Sequence, residues 1–196
     1  MEENNKTDLP PEEQPDSVPA KAGKRFSRIL ISTVSSALVA AAIIVLLSWL
    51  LSPALNITGS GMSPTLSSGQ TVLCSKFSDI EQGDIIAFYY NRKILVKRVI
   101  GLPGDTIEIS GDGTVIRNGS PLDEPYISDK SLGKCDMQFP CTLDDGCYFV
   151  MGDNRDSSVD SRYSQIGCVY EENIIGKVYL RILPLKHFGA VDRYED

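Results

Sequence analysis

Hydrophobic and polar positions divide the chain into three stretches. From Ile29 to Leu51 no residue is charged, and Leu, Ile, Val and Ala dominate. At about 1.5 Å rise per residue, such a run crosses a bilayer core of about 30 Å, which predicts a single transmembrane helix over 29–51. A helix buried in a soluble core is the alternative; the length and the flanks speak against it. A cleaved secretory signal is another, but its apolar region is usually about 7–15 residues, shorter than this run. Ahead of it, residues 1–20 (MEENNKTDLPPEEQPDSVPA) carry almost nothing apolar. Such a segment cannot offset its ordering entropy, which predicts disorder. Lys21, Lys24, Arg25 and Arg28 follow. A basic cluster on that flank assigns 1–28 to a cytoplasmic tail and everything after Leu51 to the outside of the plasma membrane. Trp49 then sits near the outer interface, where amphipathic aromatics concentrate.

Residues 53–196 carry a different pattern. TVLCSKF, DIIAFYY, KILVKRVIG, DTIEIS, TVIRNG, CYFVMG and IIGKVYLRIL are short runs rich in β-branched and aromatic residues, separated by Gly, Pro, Asn and Asp. This predicts a mostly β extracytoplasmic domain, with hairpin turns at Gly111-Asp112-Gly113 and Asn118-Gly119. No long amphipathic helix is expected after the anchor.

Charge and composition narrow the chemistry. The net charge of −7 argues against a nucleic-acid partner, which needs a basic face. No Gly-rich phosphate loop and no CxxC pair is present, so neither a cofactor nor a metal site is expected. The single histidine, His187, reads as a surface residue and leaves no Ser-His-Asp triad. All five cysteines fall after the apolar run, where disulfides are permitted. Spacing does not fix their connectivity. The expectation is Cys147 with Cys168 and Cys135 with Cys141, leaving Cys74 free; buried reduced thiols are the alternative.

Two segments look chemical. In KILVKRVIG, strand alternation puts Leu95, Lys97 and Val99 on one face, so Lys97 is flanked by large apolar side chains. Burial disfavours the ammonium form, and a lysine must lose about three pH units of proton affinity, from about 10.4, to act as a base near neutrality. A lysine whose stem covers apolar surface while its head reaches water is the plain alternative. In MGDNRDSSVDSR, residues 151–162, Asp153, Asp156 and Asp160 alternate with Arg155, Arg162 and serines. Such density predicts a salt-bridged loop that orients another group, or a structural turn; the regular acid spacing of an EF-hand is absent.

SGMSPTL (60–66), GDIIAF (83–88), KRVIGLPGD (97–105) and GDNRDSSVDSR (152–162), in this order behind an apolar run, resemble the motif set of the type I signal peptidases. The resemblance spans most of residues 25–185. It implies a signal-peptidase-like β domain with a small β cap, held at the outer face of the membrane and in contact with its lipid. It implies a serine endopeptidase with a Ser/Lys dyad, removing signal peptides from secreted preproteins after Ala-x-Ala patterns. By position, Lys97 would be the general base and Ser158 would hydrogen-bond and orient it. Asp160 with Arg162 would form a supporting salt bridge, with Asp153 and Arg155 in the same buttress. The backbone NH of residue 61 would donate to the oxyanion.

One position departs from that pattern: the residue before Met62 is Gly61, where the family carries its nucleophilic serine. If 60–63 is extended, Ser60 points away from Lys97, and Ser63 lies about 7 Å beyond Gly61 on the same face. A glycine-permitted re-route of the backbone would bring Ser60 or Ser63 to Lys97, and a water held by Lys97 is a further nucleophile. The readings are therefore a peptidase working with a displaced serine or water, a non-cleaving homologue that binds signal peptides or assists an active paralogue, and an unrelated surface interaction on the same anchored domain.

Overall fold

The computed structural model describes residues 21–50 and 52–191. The disorder expected for 1–20 lies outside those residues. The chain divides into two units, Met1–Leu50 and Leu51–Asp196. In the first, α1 (Lys21–Leu50) is one continuous helix. It begins earlier than the expected 29: Pro19 is the last proline before the apolar run, and nothing in KAGKRFSR blocks a helix. Side chains 30–46 are all exposed. The transmembrane helix expected over 29–51 is not found: among the described residues no helix is long and apolar enough to cross a membrane.

The second unit is mostly β. In chain order its strands are β1 (Ala54–Asn56), β2 (Thr71–Ser75), β3 (Ile85–Tyr90), β4 (Lys93–Gly101), β5 (Thr106–Ile109), β6 (Val115–Arg117), β7 (Ser120–Pro121), β8 (Cys141–Thr142), β9 (Cys147–Met151), β10 (Val169–Tyr170), β11 (Ile174–Leu183) and β12 (Gly189–Ala190). The main sheet has eight strands in the order β1-β2-β11-β3-β4-β9-β10, with β12 alongside β11; the cap is a four-stranded sheet, β7-β6-β5-β8. Every expected run forms a strand. The turn at Asn118-Gly119 has both residues at positive φ, 52° and 82°, as a tight hairpin between β6 and β7 requires.

Apolar clusters explain why the sheets hold. Ile57, Met62, Leu66, Val72 and Val178 belong to one cluster, which ties the chain after β1 to the sheet. Ile86, Phe88, Val99 and Val150 belong to a second; Leu95 packs against it, so the apolar neighbours expected beside Lys97 share one cluster. The third joins the cap (Ile107, Val115) to the main sheet (Ile100, Phe149, Met151). Cys147 is bonded to Cys168. Cys135 and Cys141, expected to pair, are separate thiols, and Cys74 is a buried thiol. Cys141 is held in β8 by its register with Ile107, while the chain beside Cys135 is drawn to the Arg162 carbonyl by the Asp136 and Met137 amides.

Candidate active site

The segment after β1 forms a tight turn. Ser63 N–H donates to the Ser60 carbonyl at 3.0 Å and Leu66 N–H to the Met62 carbonyl at 2.8 Å. Met62 and Leu66 are sunk in the core and anchor this turn from below. The extended arrangement of 60–63, one of those considered, is therefore not adopted. Nor does Gly61 exploit glycine's extra freedom, since it is not among the positive-φ residues.

β4 brings Lys97 to the same place. A Cβ built on Gly61 would lie 2.9 Å from Lys97 Nζ and 3.6 Å from Ser158 Oγ. Position 61 therefore aims any side chain at the lysine amine. Ser158 belongs to the loop between β9 and β10, which closes over the turn: Asn154 N–H donates to the Gly61 carbonyl at 3.1 Å, and Ser158 N–H to the Asn154 carbonyl at 3.1 Å. Glycine is required at 152, because a Cβ there would overlap Ser158 Oγ and the Gly61 carbonyl oxygen.

Lys97 is 7% exposed. Burial pushes its proton affinity below the ordinary lysine range; the Asp160 charge opposes this, Arg162 adds to it, and Asp153 opposes it more weakly. The hydrogen bond expected from Ser158 to Lys97 is absent. Ser158 Oγ is buried without a hydrogen-bond partner among the described residues. Its hydroxyl adds only a weak interaction with the Asp160 carboxylate, short of hydrogen-bond geometry.

Behind these groups lie buried ion pairs. Asp160 is held by Arg162 Nε at 2.9 Å and by the Gly152 N–H at 2.9 Å. Burial acts to raise the Asp160 pKa, but the Arg162 hydrogen bond and charge outweigh it and hold the carboxyl below its usual range. Asp153 and Arg155, expected within one buttress, pair with different partners. Asp153 takes both Nε (2.9 Å) and Nη2 (2.7 Å) of Arg98, whose guanidinium lies 4.0 Å from the Tyr126 ring centre. Arg155 donates Nη1 to Glu124 at 3.0 Å, and Tyr126 Oη donates to the same carboxylate at 2.8 Å. Sequence reasoning missed Arg98, Glu124, Tyr126 and Gly152. An arginine between valine and lysine within a strand was the one visible signal; nothing marks Glu124 in LDEPYI.

The alternative serines are placed elsewhere. Ser60 is exposed, with its Oγ 3.4 Å from Ser157 Oγ. Ser63 lines a separate cavity of about 290 Å³ with Asp153, Asn154 and Arg155. Gly61 and Lys97 open instead on a cleft of about 550 Å³, walled by residues 54–59 on one side and by 93–97 of β4 on the other. Both walls expose strand edges. β1 pairs only with β2, and the β4 register with β9 begins at Arg98, which leaves residues 93–97 paired to β3 alone. His187 is exposed in a short 3₁₀ turn and contributes nothing here. Among the described residues no cluster is placed to hold a metal ion.

Known proteins are similar to this chain in sequence. The family described as signal peptidase, peptidase S26, matches residues 30–183. A signal peptidase I of Bacillus caldolyticus is 42% identical over 151 residues, covering 68% of this chain and 80% of its own. Signal peptidase I P of Bacillus subtilis subsp. natto is 33% identical over 175 residues, covering 83% and 94%. A crystal structure of a signal peptidase I from Enterococcus faecalis is 35% identical, covers 51% of this chain and 97% of its own, and superposes with a TM-score of 0.42. A mostly β domain with the four ordered motifs and a match over residues 30–183 leads to one conclusion: this chain belongs to the signal peptidase family, peptidase S26.

Proposed function

We propose that this protein is a membrane-anchored signal peptidase I homologue that binds the cleavage region of signal peptides in the cleft between β1 and β4, and whose hydrolytic step has lost its nucleophile at Gly61. One observation carries the reading: a side chain at 61 would point straight at Lys97, and none is there. Neither Ser60 nor Ser63 substitutes, because one is turned to Ser157 and the other lines a different cavity. The unpaired edges of β1 and of β4 residues 93–97 suit an extended peptide added as a strand, with main-chain hydrogen bonds for affinity and pockets for alternate side chains. In a chain with serine at 61, Lys97 would take the hydroxyl proton and the residue-61 NH would donate to the oxyanion. The apolar run within α1 is the part of the chain that attaches to lipid.

The test is cleavage of a preprotein with an Ala-x-Ala site by the detergent-solubilised chain and its Gly61→Ser variant, beside fluorescence-anisotropy binding of the same signal peptide. Loss of a serine nucleophile costs on the order of 10⁶ in rate, so Gly61→Ser is expected to cleave and the parent to be silent while binding equally well. Parent cleavage at a rate near that of Gly61→Ser, abolished by Lys97→Ala, would overturn this reading and establish a displaced nucleophile or an activated water.

A further inference from the structure

In the proposed state nothing is left for Lys97 to deprotonate, yet the amine is maintained in an unusual setting. Its Nζ makes no hydrogen bond or salt bridge among the described residues, whereas Lys177 is paired to Asp84 at 2.8 Å. It opens on the 550 Å³ cleft rather than on bulk solvent. A Cβ on residue 61 would come within 2.9 Å of this amine, so Nζ itself reaches into the space directly in front of position 61. Ser158 Oγ, 2% exposed as a residue and unpartnered, borders the same space. A desolvated lysine amine open to a cleft is the arrangement that makes a carbonyl-directed nucleophile.

We propose that Lys97 is a carbonyl-reactive lysine, and that the cleft it shares with Gly61 admits an aldehyde, which condenses with its Nζ to form an imine. The nitrogen lone pair forms the C–N bond while the C=O π pair moves to oxygen. One proton passes from nitrogen to that oxygen, giving the carbinolamine. Loss of the hydroxyl with the second nitrogen proton releases one water and leaves the imine. Ser158 Oγ is placed to donate a hydrogen bond to the oxygen as it departs. Peptide amides are excluded from this chemistry, because their carbonyl carbon is a far weaker electrophile; an amide substrate is bound and left intact. The ligand class is therefore a small aldehyde, or a peptide ending in one. The peptide case rests on the cleft reading above; the small-aldehyde case does not.

The full chain in detergent is incubated at pH 7 with propanal, or with an acetylated tripeptide ending in alaninal, then reduced with borohydride and mapped by mass spectrometry. Lys97 is expected to carry the reduced adduct at least about tenfold above the exposed Lys130 and Lys186. Gly61→Ser, whose side chain crowds the amine, is expected to lower Lys97 labelling severalfold, and Lys97→Met to abolish the site while circular dichroism reports an intact fold. Labelling of Lys97 no greater than that of Lys130 with both aldehydes would overturn the proposal, as would equal labelling in Gly61→Ser. Labelling by propanal but not by the peptide aldehyde upholds the reactive lysine and sinks the peptide-binding reading. Normal binding of an unreactive signal peptide with no labelling by either aldehyde does the reverse.

Discussion

Lys97 was legible as a residue before its surroundings were. The apolar flanks Leu95 and Val99 pointed to burial, and the lysine is buried. What alternation does not convey is which charges face it, since Asp160, Arg162 and Asp153 arrive from a loop more than fifty residues later. The lowered proton affinity has a thermodynamic consequence. At any pH below the ordinary lysine value of 10.5 the unfolded chain holds this proton more firmly than the folded one. Stability contributed by the site is therefore depressed at low pH and rises only as pH passes from the lowered folded-state value up to 10.5. Lys97→Met removes the ionisation while keeping an unbranched apolar stem. It is expected to be more stable than the parent at pH 7, with the gap closing as pH approaches 10.5. Urea titrations at pH 7 and pH 10 measure this, and a variant less stable than the parent at both would contradict it. Gly61 is different in kind. Its identity was plain, but its consequence depends on direction: only the built Cβ, 2.9 Å from the flexible end of Lys97, makes the missing side chain the one that mattered.

Among the elements, the long strands could be read because β-branched and aromatic runs bounded by turn residues leave few alternatives. β1, β7, β8, β10 and β12, each two or three residues long, carry too little pattern to declare themselves. The segment from Leu122 to Pro140 is the larger omission. It is held mainly by side chains reaching across the fold: Arg162 Nη1 donates to the Leu132 carbonyl at 2.8 Å, the Arg162 carbonyl accepts from Asp136 N–H at 3.1 Å, and Arg155 binds Glu124. No local periodicity encodes such contacts. Their strength should differ by burial. The Arg155–Glu124 pair is about 1% exposed on each side, so Glu124→Ala strands a buried guanidinium. That substitution is expected to cost about 3–5 kcal/mol. Arg117–Asp105 has an arginine 25% exposed, and Arg117→Ala should cost about 0–1 kcal/mol. Chemical denaturation of both variants decides it; similar losses would mean that the segment is not held through Glu124.

At the scale of the molecule, the division between an apolar N-terminal run and a β domain was written in the change of hydrophobic period, and the structure divides at Leu50 and Leu51. The pairing of a cap with a main sheet was implied only by resemblance, because Ile107 and Val115 meet Phe149 and Met151 through contacts that no local pattern announces. The three apolar clusters draw all their buried members from residues 57–178, which gives the β domain a core of its own. A chain of residues 52–196 is therefore expected to unfold cooperatively with a midpoint close to that of the full chain. It should bind a soluble signal peptide with the same affinity, since both walls of the cleft, 54–59 and 93–97, are retained. Attachment to lipid should behave differently. An apolar helix contributes by area, and the run within α1 is the longest uncharged apolar stretch in the chain. The full chain is expected to sediment with phosphatidylcholine–phosphatidylglycerol vesicles and to resist extraction by high salt, while residues 52–196 stay in the supernatant. Co-sedimentation of the shortened chain at high salt would place a second membrane contact on the β domain itself. Loss of its cooperative unfolding would instead mean that α1 supports the fold, and the membrane comparison would then be made with an intact chain carrying lysines within the apolar run.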